Sequence, residues 1–346
     1  MKELFIEYLI SSQITMKIKT KFQIINGPLD LSEMMGQVPM FLLKSANFLE
    51  SLTYLIAMDA ATRPVYEKTE KIGDHVFFVI QNTELFGIVQ MIATILLTRN
   101  QPFKPSQLTQ NYVQKVLPQT IISLAITSIK IINNIFRMDY RFGQQILSDF
   151  ETQEQLYHLF NYILHYTVET SDKQEDSKEL LHETIMMIGY FCLNNEKNQA
   201  LLCRGENTII QRLCGLPIAY FHDKKLKDIL YPTLIQVSYK NERSLAIMDN
   251  EISIEMIVSF IQANTKEELS RIIEEENDYQ SMSSLSGAAA LERRSHRSPS
   301  MSSTNSSQCS MQIDMINGNS PFVQLVMRFP KKLWKDAIQF YQSVLY

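Results

Sequence analysis

Few side chains in this sequence stand at spacings that do chemistry. His182-Glu183 opens like a zinc-protease pair, but the position that needs a second histidine is Met186. His158 and His165, on one helix face, could ligate a metal with Cys192; nothing confirms a third ligand, so they read as ordinary surface or boundary histidines. Cys192, Cys203, Cys214 and Cys309 form no C-x-x-C pair, which leaves a zinc ribbon or finger unsupported. The first three are evenly spaced on helical faces and read as reduced core thiols. The phosphate-cradling G-x-x-x-x-G-K-[ST] and G-x-G-x-x-G runs and the G-x-S-x-G nucleophile elbow are missing. The expectation is a protein without catalysis of its own and without a cofactor.

Binding features are sparse too. Lys224, Lys225 and Lys227 make a small basic run without interleaved aromatic residues, which reads as a solvated face. The alternative is an RNA- or ribosome-contacting adaptor, which steep salt dependence of binding would favour. A net charge of −4 argues against a basic surface over the whole chain. Ser295 and Ser298, in Arg294-Ser-His-Arg-Ser-Pro299, are candidate phosphosites.

The elements that would position these residues are helices. In 185–216, apolar Ile185, Ile188, Phe191 and Cys192 share one face. Asn194 and Asn195 break that helix, Asn198 to Leu202 form a short one, and Arg204-Gly205 stops it where φ > 0 is needed. Asn207 or Thr208 then caps a helix through Ile209, Ile210, Leu213 and Cys214. A second copy spans 234–261 and aligns Asn195 with Asn241, Leu201 with Ile247 and Ile210 with Met256. The period lies within the roughly 40–47 residues of armadillo-type repeats. Gly143-Gln-Gln-Ile-Leu looks like a degenerate earlier copy of Gln199-Ala-Leu-Leu.

Elsewhere, Pro39 opens a helix that ends at Arg63-Pro64. The apolar stretch 76–97 contains Glu84 and Gln90, so it reads as a buried helix starting near Thr83 and not as a membrane span. A helix from Pro118 is apolar on almost every face and should be the most buried. Single helices are expected over 138–147, 154–166 and 321–329, a kink or restart at Pro232, and a new helix capped by Thr265 with Glu268 reaching back. The fold expected is all-α: an armadillo/HEAT-like right-handed superhelix over 27–276, after an ill-defined segment 1–26. A Ser-rich insert, 277–320, lacks the apolar groups to offset the entropy of ordering and reads as disordered. The segment 321–346 should dock back as helices through Leu333, Trp334, Phe340 and Tyr341, since it is too short to fold alone.

Three separated blocks, 116–139, 181–262 and 326–342, resemble in order the C-terminal region of the family of S phase cyclin A-associated proteins of the endoplasmic reticulum. The resemblance covers most of 105–346 and is weaker over the first hundred residues. It implies a cytoplasmic protein at the cytosolic face of the endoplasmic reticulum; the polar residues in 76–97 are what speak against membrane insertion within this chain. It also implies protein partners: cyclin A with its kinase, or a complex controlling tubulin messenger decay. The family's upstream coiled coil and C2H2 zinc finger have no counterpart here, so the chain reads as a C-terminal piece or a short relative. Arg243-Ser244-Leu245 has the Arg-x-Leu form of a cyclin-docking peptide, but Leu245 falls on an expected core face. Met301 stands where a cyclin-dependent kinase acting on Ser298 prefers Lys or Arg. The function implied is a non-catalytic interaction scaffold with a concave repeat surface.

Overall fold

The computed structural model describes residues 38–62, 77–78, 80–82, 87–97, 117–170, 175–270 and 324–345. All regular structure among them is helical. The helices are α1 (Val38–Thr62), α2 (Gly87–Leu97), α3 (Gln119–Met138), α4 (Tyr140–Ile146), α5 (Phe150–Thr170), α6 (Glu175–Cys192) and α7 (Glu196–Leu202). There follow α8 (Ile209–Cys214), α9 (Ala219–His222), α10 (Lys224–Ser238) and α11 (Glu242–Asp249). Next comes α12 (residues 254–270). A C-terminal arm holds α13 (Leu325–Arg328), a 3-10 turn (Lys331–Leu333) and α14 (Trp334–Leu345). The expected segments 1–26 and 277–320 lie outside the described residues.

Long helices build the core in succession: α3 packs on α1 and α6, and α6 packs on α10. Helix α5 lies against α2 and α6. One continuous apolar cluster runs from Ala46 to Tyr341. Pro118 starts α3, where its missing N–H costs nothing, and nearly every face of α3 is buried, as an all-round apolar helix requires. By length and composition α3 could also cross a membrane, but most of it is packed inside the protein.

The turns that join long to short helices recur atom for atom. After α6 the chain enters the left-handed region at Asn194 (φ 53°), and Asn195 caps α7 by accepting from the Asn198 N–H at 3.2 Å. After α10 it does so at Lys240 (φ 59°), and Asn241 caps α11 by accepting from Ser244 N–H at 2.9 Å. The short helices also lock onto the long ones. Gln144 of α4 donates Nε2 to the carbonyls of Tyr190 (2.8 Å) and Leu193 (2.9 Å), at the end of α6. Gln199 of α7 donates to the carbonyls of Gln236 (2.9 Å) and Tyr239 (3.3 Å), at the end of α10. Asn195 Nδ2 returns a bond to Gln144 Oε1 (3.3 Å), and Asn241 Nδ2 one to Gln199 Oε1 (3.2 Å). Each glutamine thus takes up carbonyls that a helix end leaves open. Gly205 sits at φ 82°, and Thr208, of the two candidate caps, forms a full capping box with Gln211.

Several boundaries differ from the sequence reading. The segment 138–147 is broken at Asp139, whose carboxylate accepts from the Arg141 and Phe142 N–H groups and starts α4. Helix α5 is longer at both ends than 154–166. Helix α12 runs straight through Thr265, whose hydroxyl donates back to Ile261 O at 2.8 Å, so no helix starts there. Pro232 lies inside α10 without ending it. In the arm, among the described residues before Pro330, only Leu325–Arg328 is helical.

Candidate functional site: the seat of the C-terminal arm

The arm is a sequence of stops and anchors. Pro330 cannot donate to a helix before it, so α13 closes at Arg328 and a tight 3-10 turn comes next, Leu333 N–H donating to Pro330 O at 2.9 Å. Helix α14 then presents Trp334, Ala337 and Tyr341 on one face, and all three are buried. The Trp334 indole donates Nε1–H to the Phe329 carbonyl at 3.0 Å, which fixes the turn from α13 to α14. The Tyr341 hydroxyl donates to Ile235 O (3.2 Å) and shares a bond with Ser238 Oγ (2.9 Å), so it reaches the last turn of α10. Its burial raises the phenol well above its ordinary pKa. Phe329 and Phe340 meet the Tyr239 ring edge-on at 5.4 and 5.8 Å. Leu333 and Phe340 are half-buried.

At the centre is Arg328, 1% exposed and the largest fully buried side chain among the described residues. Its guanidinium enters α10 beside Pro232. Nη1 donates to Ile229 O at 2.6 Å and leans on Asp228 O at 3.4 Å. Nη2 donates to Thr233 Oγ1 and, at 3.5 Å, to Gln236 Oε1. Gln236 closes the clamp by donating Nε2–H to the Arg328 carbonyl at 2.8 Å. The Tyr190 ring lies 5.8 Å from the guanidinium carbon, and Thr233 donates onward to Ile185 O of α6 at 2.8 Å. Burial depresses the Arg328 pKa to about 10, with Tyr190 opposing, so the side chain remains a cation at neutral pH. At the rim, Lys331 pairs with Glu268 of α12.

Gly189 of α6 faces this cluster. A Cβ there would overlap Gln236 Oε1 and stand 2.9 Å from Thr233 Oγ1 and 3.0 Å from Arg328 Nη2. The missing side chain is the room that Gln236 Oε1 occupies, with the guanidinium beside it. Arg328, Gln236, Thr233 and Gly189 did not emerge from spacing and motif. The signals available were a lone arginine inside the apolar run Val326-Met-Arg-Phe329, a proline inside a helical pattern, and a glycine inside Ile185–Cys192.

The other sequence candidates lie apart from the arm's seat. Lys224, Lys225 and Lys227 occupy the first turn of α10, and Lys224 Nζ stands 3.8 Å from Glu267 of α12. His158 and His165 are exposed on α5, His165 stands 3.3 Å from Glu169, and Cys192 is fully buried. Among the described residues no group of three His, Cys, Asp or Glu side chains could hold a metal. Burial pushes the Cys192 thiol up and Cys214 to about 12, so neither is a ready thiolate. Leu245 is 2% exposed and Ser244 is buried, while the exposed Arg243 donates to Cys203 O at 3.2 Å, so the leucine of the Arg-x-Leu triplet is built into the core. Ser295 and Ser298 lie outside the described residues.

No protein-family model matches the chain. Among curated proteins, a human protein named S phase cyclin A-associated protein in the endoplasmic reticulum is 25% identical over 340 residues, covering 97% of this chain. The likeness reaches beyond the 105–346 covered by the sequence reading. The chain spans 21% of that relative's length. Its all-α architecture therefore comes with a distant relationship, along nearly its whole extent, to a protein named for its association with cyclin A and with the endoplasmic reticulum.

Proposed function

We propose that this chain is a non-catalytic scaffold, an armadillo/HEAT-like right-handed superhelix that holds protein partners on a surface built by stacked helices. The observation that carries this reading is the repeated amide lock. Gln144–Asn195 and Gln199–Asn241 tie short α4 to the end of long α6 and short α7 to the end of long α10 in the same way. A unit that passes its open carbonyls to its neighbour propagates in one direction and builds an extended face instead of a closed core. The distant relative supplies the partner class, since its name states association with cyclin A. Cyclin A with its kinase is the partner proposed here, at the cytosolic face of the endoplasmic reticulum, with a role in tubulin messenger decay. Of the basic run, Lys224 approaches Glu267 of α12 at 3.8 Å, with both side chains largely exposed.

Calorimetry of the purified chain against cyclin A with its kinase tests this. Saturable binding with a weak salt dependence is expected. No heat with cyclin A, together with RNA binding that falls steeply between low and moderate salt, refutes it and establishes the RNA-contacting adaptor instead.

A further inference from the structure

We propose that the turn of α10 opened by Pro232 is a guanidinium-recognition site, which the chain fills in cis with Arg328, and that this arginine is the key that seats the C-terminal arm. Three observations converge on it. First, a proline inside a helix has no N–H for the carbonyl one turn back, here Asp228, and its ring crowds that turn. The carbonyls of Asp228 and Ile229 are what Nη1 addresses. Second, the acceptors Ile229 O, Thr233 Oγ1 and Gln236 Oε1 are set at the separation of two guanidinium nitrogens, with the face of Tyr190 beside them. Third, Gly189 leaves the volume in which Gln236 Oε1 sits, and so lets that acceptor face the guanidinium.

The arrangement selects arginine over lysine. A guanidinium divides its donors between two nitrogens with fixed spacing, and it is weakly hydrated enough to enter a buried site. An ammonium has one nitrogen on a flexible stem and lacks the fixed pair of nitrogens that meets Ile229 O and Thr233 Oγ1 here. The removal of one partner from a buried charge is costly, so the site and its arginine form a unit. The site also requires residues C-terminal to the arginine: Phe329, whose carbonyl receives Trp334, and Tyr341 on the last turn of α10. The ligand class is therefore an arginine with an aromatic residue next in sequence, in a segment that turns back into a short amphipathic helix. While the arm is seated, the site is closed to any such segment from outside.

The chain contains a single tryptophan, Trp334, so its fluorescence reports seating of the arm directly. The chain and its Arg328→Lys and Arg328→Met variants should be compared by Trp334 emission and acrylamide quenching, with far-UV circular dichroism as the check on folding. Both variants should show a red-shifted, more readily quenched tryptophan, and lysine should restore no more than methionine does. A fluorescein-labelled peptide of residues 321–346 should bind the Arg328→Met chain about tenfold more tightly than the same peptide carrying lysine or citrulline at the arginine. It should bind the unsubstituted chain, whose site is filled, about tenfold more weakly. Wild-type emission in the lysine variant, or equal binding of the arginine and lysine peptides, overturns the proposal. If Arg328→Met fails to fold, Thr233→Val decides. It keeps Arg328 and the side-chain shape but removes the oxygen that accepts from Nη2, so quenching of Trp334 should rise; unchanged quenching refutes the site.

Discussion

Gly189→Ala isolates the close approach of α6 to the arm's arginine, because the local and tertiary effects have opposite signs. Within a helix, alanine is favoured over glycine by about 1 kcal/mol, so secondary-structure propensity alone makes this substitution stabilising. The tertiary structure makes it destabilising. The new Cβ would overlap Gln236 Oε1 and press on Thr233 Oγ1 and Arg328 Nη2. Gln236 cannot swing aside freely, since its Nε2–H is bonded to the Arg328 carbonyl and its Oε1 faces the guanidinium. If it moves, a buried carbonyl loses its donor, at a cost of about 1–3 kcal/mol. If it stays, overpacking costs about 1–3 kcal/mol. These are alternatives, so they are not summed. After the helix gain is subtracted the net expectation is a loss of up to about 2 kcal/mol, visible as a melting temperature lowered by a few degrees. Thermal unfolding followed at 222 nm, repeated with Trp334 emission, measures both the loss and its location. The arm should loosen first. A melting temperature equal to or above the parent's, with unchanged Trp334 emission, would show that Gly189 does not make room for the Gln236–Arg328 contact.

Three further outcomes rest on the same packing. Trp334→Ala, at a side chain only 5% exposed, should cost about 3–5 kcal/mol and lower the melting temperature of the isolated chain; a red-shifted Trp334 spectrum in the unsubstituted protein would contradict that placement. Asn241→Ala removes a cap and the bond to Gln199 Oε1, so chemical denaturation should reveal a loss of at least about 1 kcal/mol; a change confined to a few tenths would mean the amide lock carries no stability. His182, which bonds to the Tyr220 hydroxyl at 2.9 Å, is held by burial to a pKa of about 4 against an ordinary 6.5. The unfolded chain therefore takes up this proton first, and stability should fall from about pH 6.5 to pH 4 by at most about 1.4 kcal/mol per unit, then level off for this group. His182→Phe should flatten that part of the pH profile, and an identical slope in the variant would refute the assignment.

What this sequence determined by itself is local and periodic. Apolar spacing gave helices, and Asn195, Asn241, Gly205 and Thr208 marked their ends, because caps and left-handed turns depend on side chains within a few residues. The alignment of Asn195 with Asn241 was legible for the same reason, and so was the likeness of Gln144 to Gln199. The new helix expected at Thr265 failed because Ser/Thr hydroxyls serve equally as caps or as donors to the preceding turn, and local sequence does not choose between them. The arm's seat was hidden more deeply. Arg328 reaches carbonyls about a hundred residues away, and an arginine has no periodicity that marks it as buried. The carbonyls it meets belong to the backbone, and only packing against α6 at Gly189 gives the cavity its size. Burial of a charge is decided by which partners the fold brings within hydrogen-bond distance, and that is a property of the tertiary structure alone.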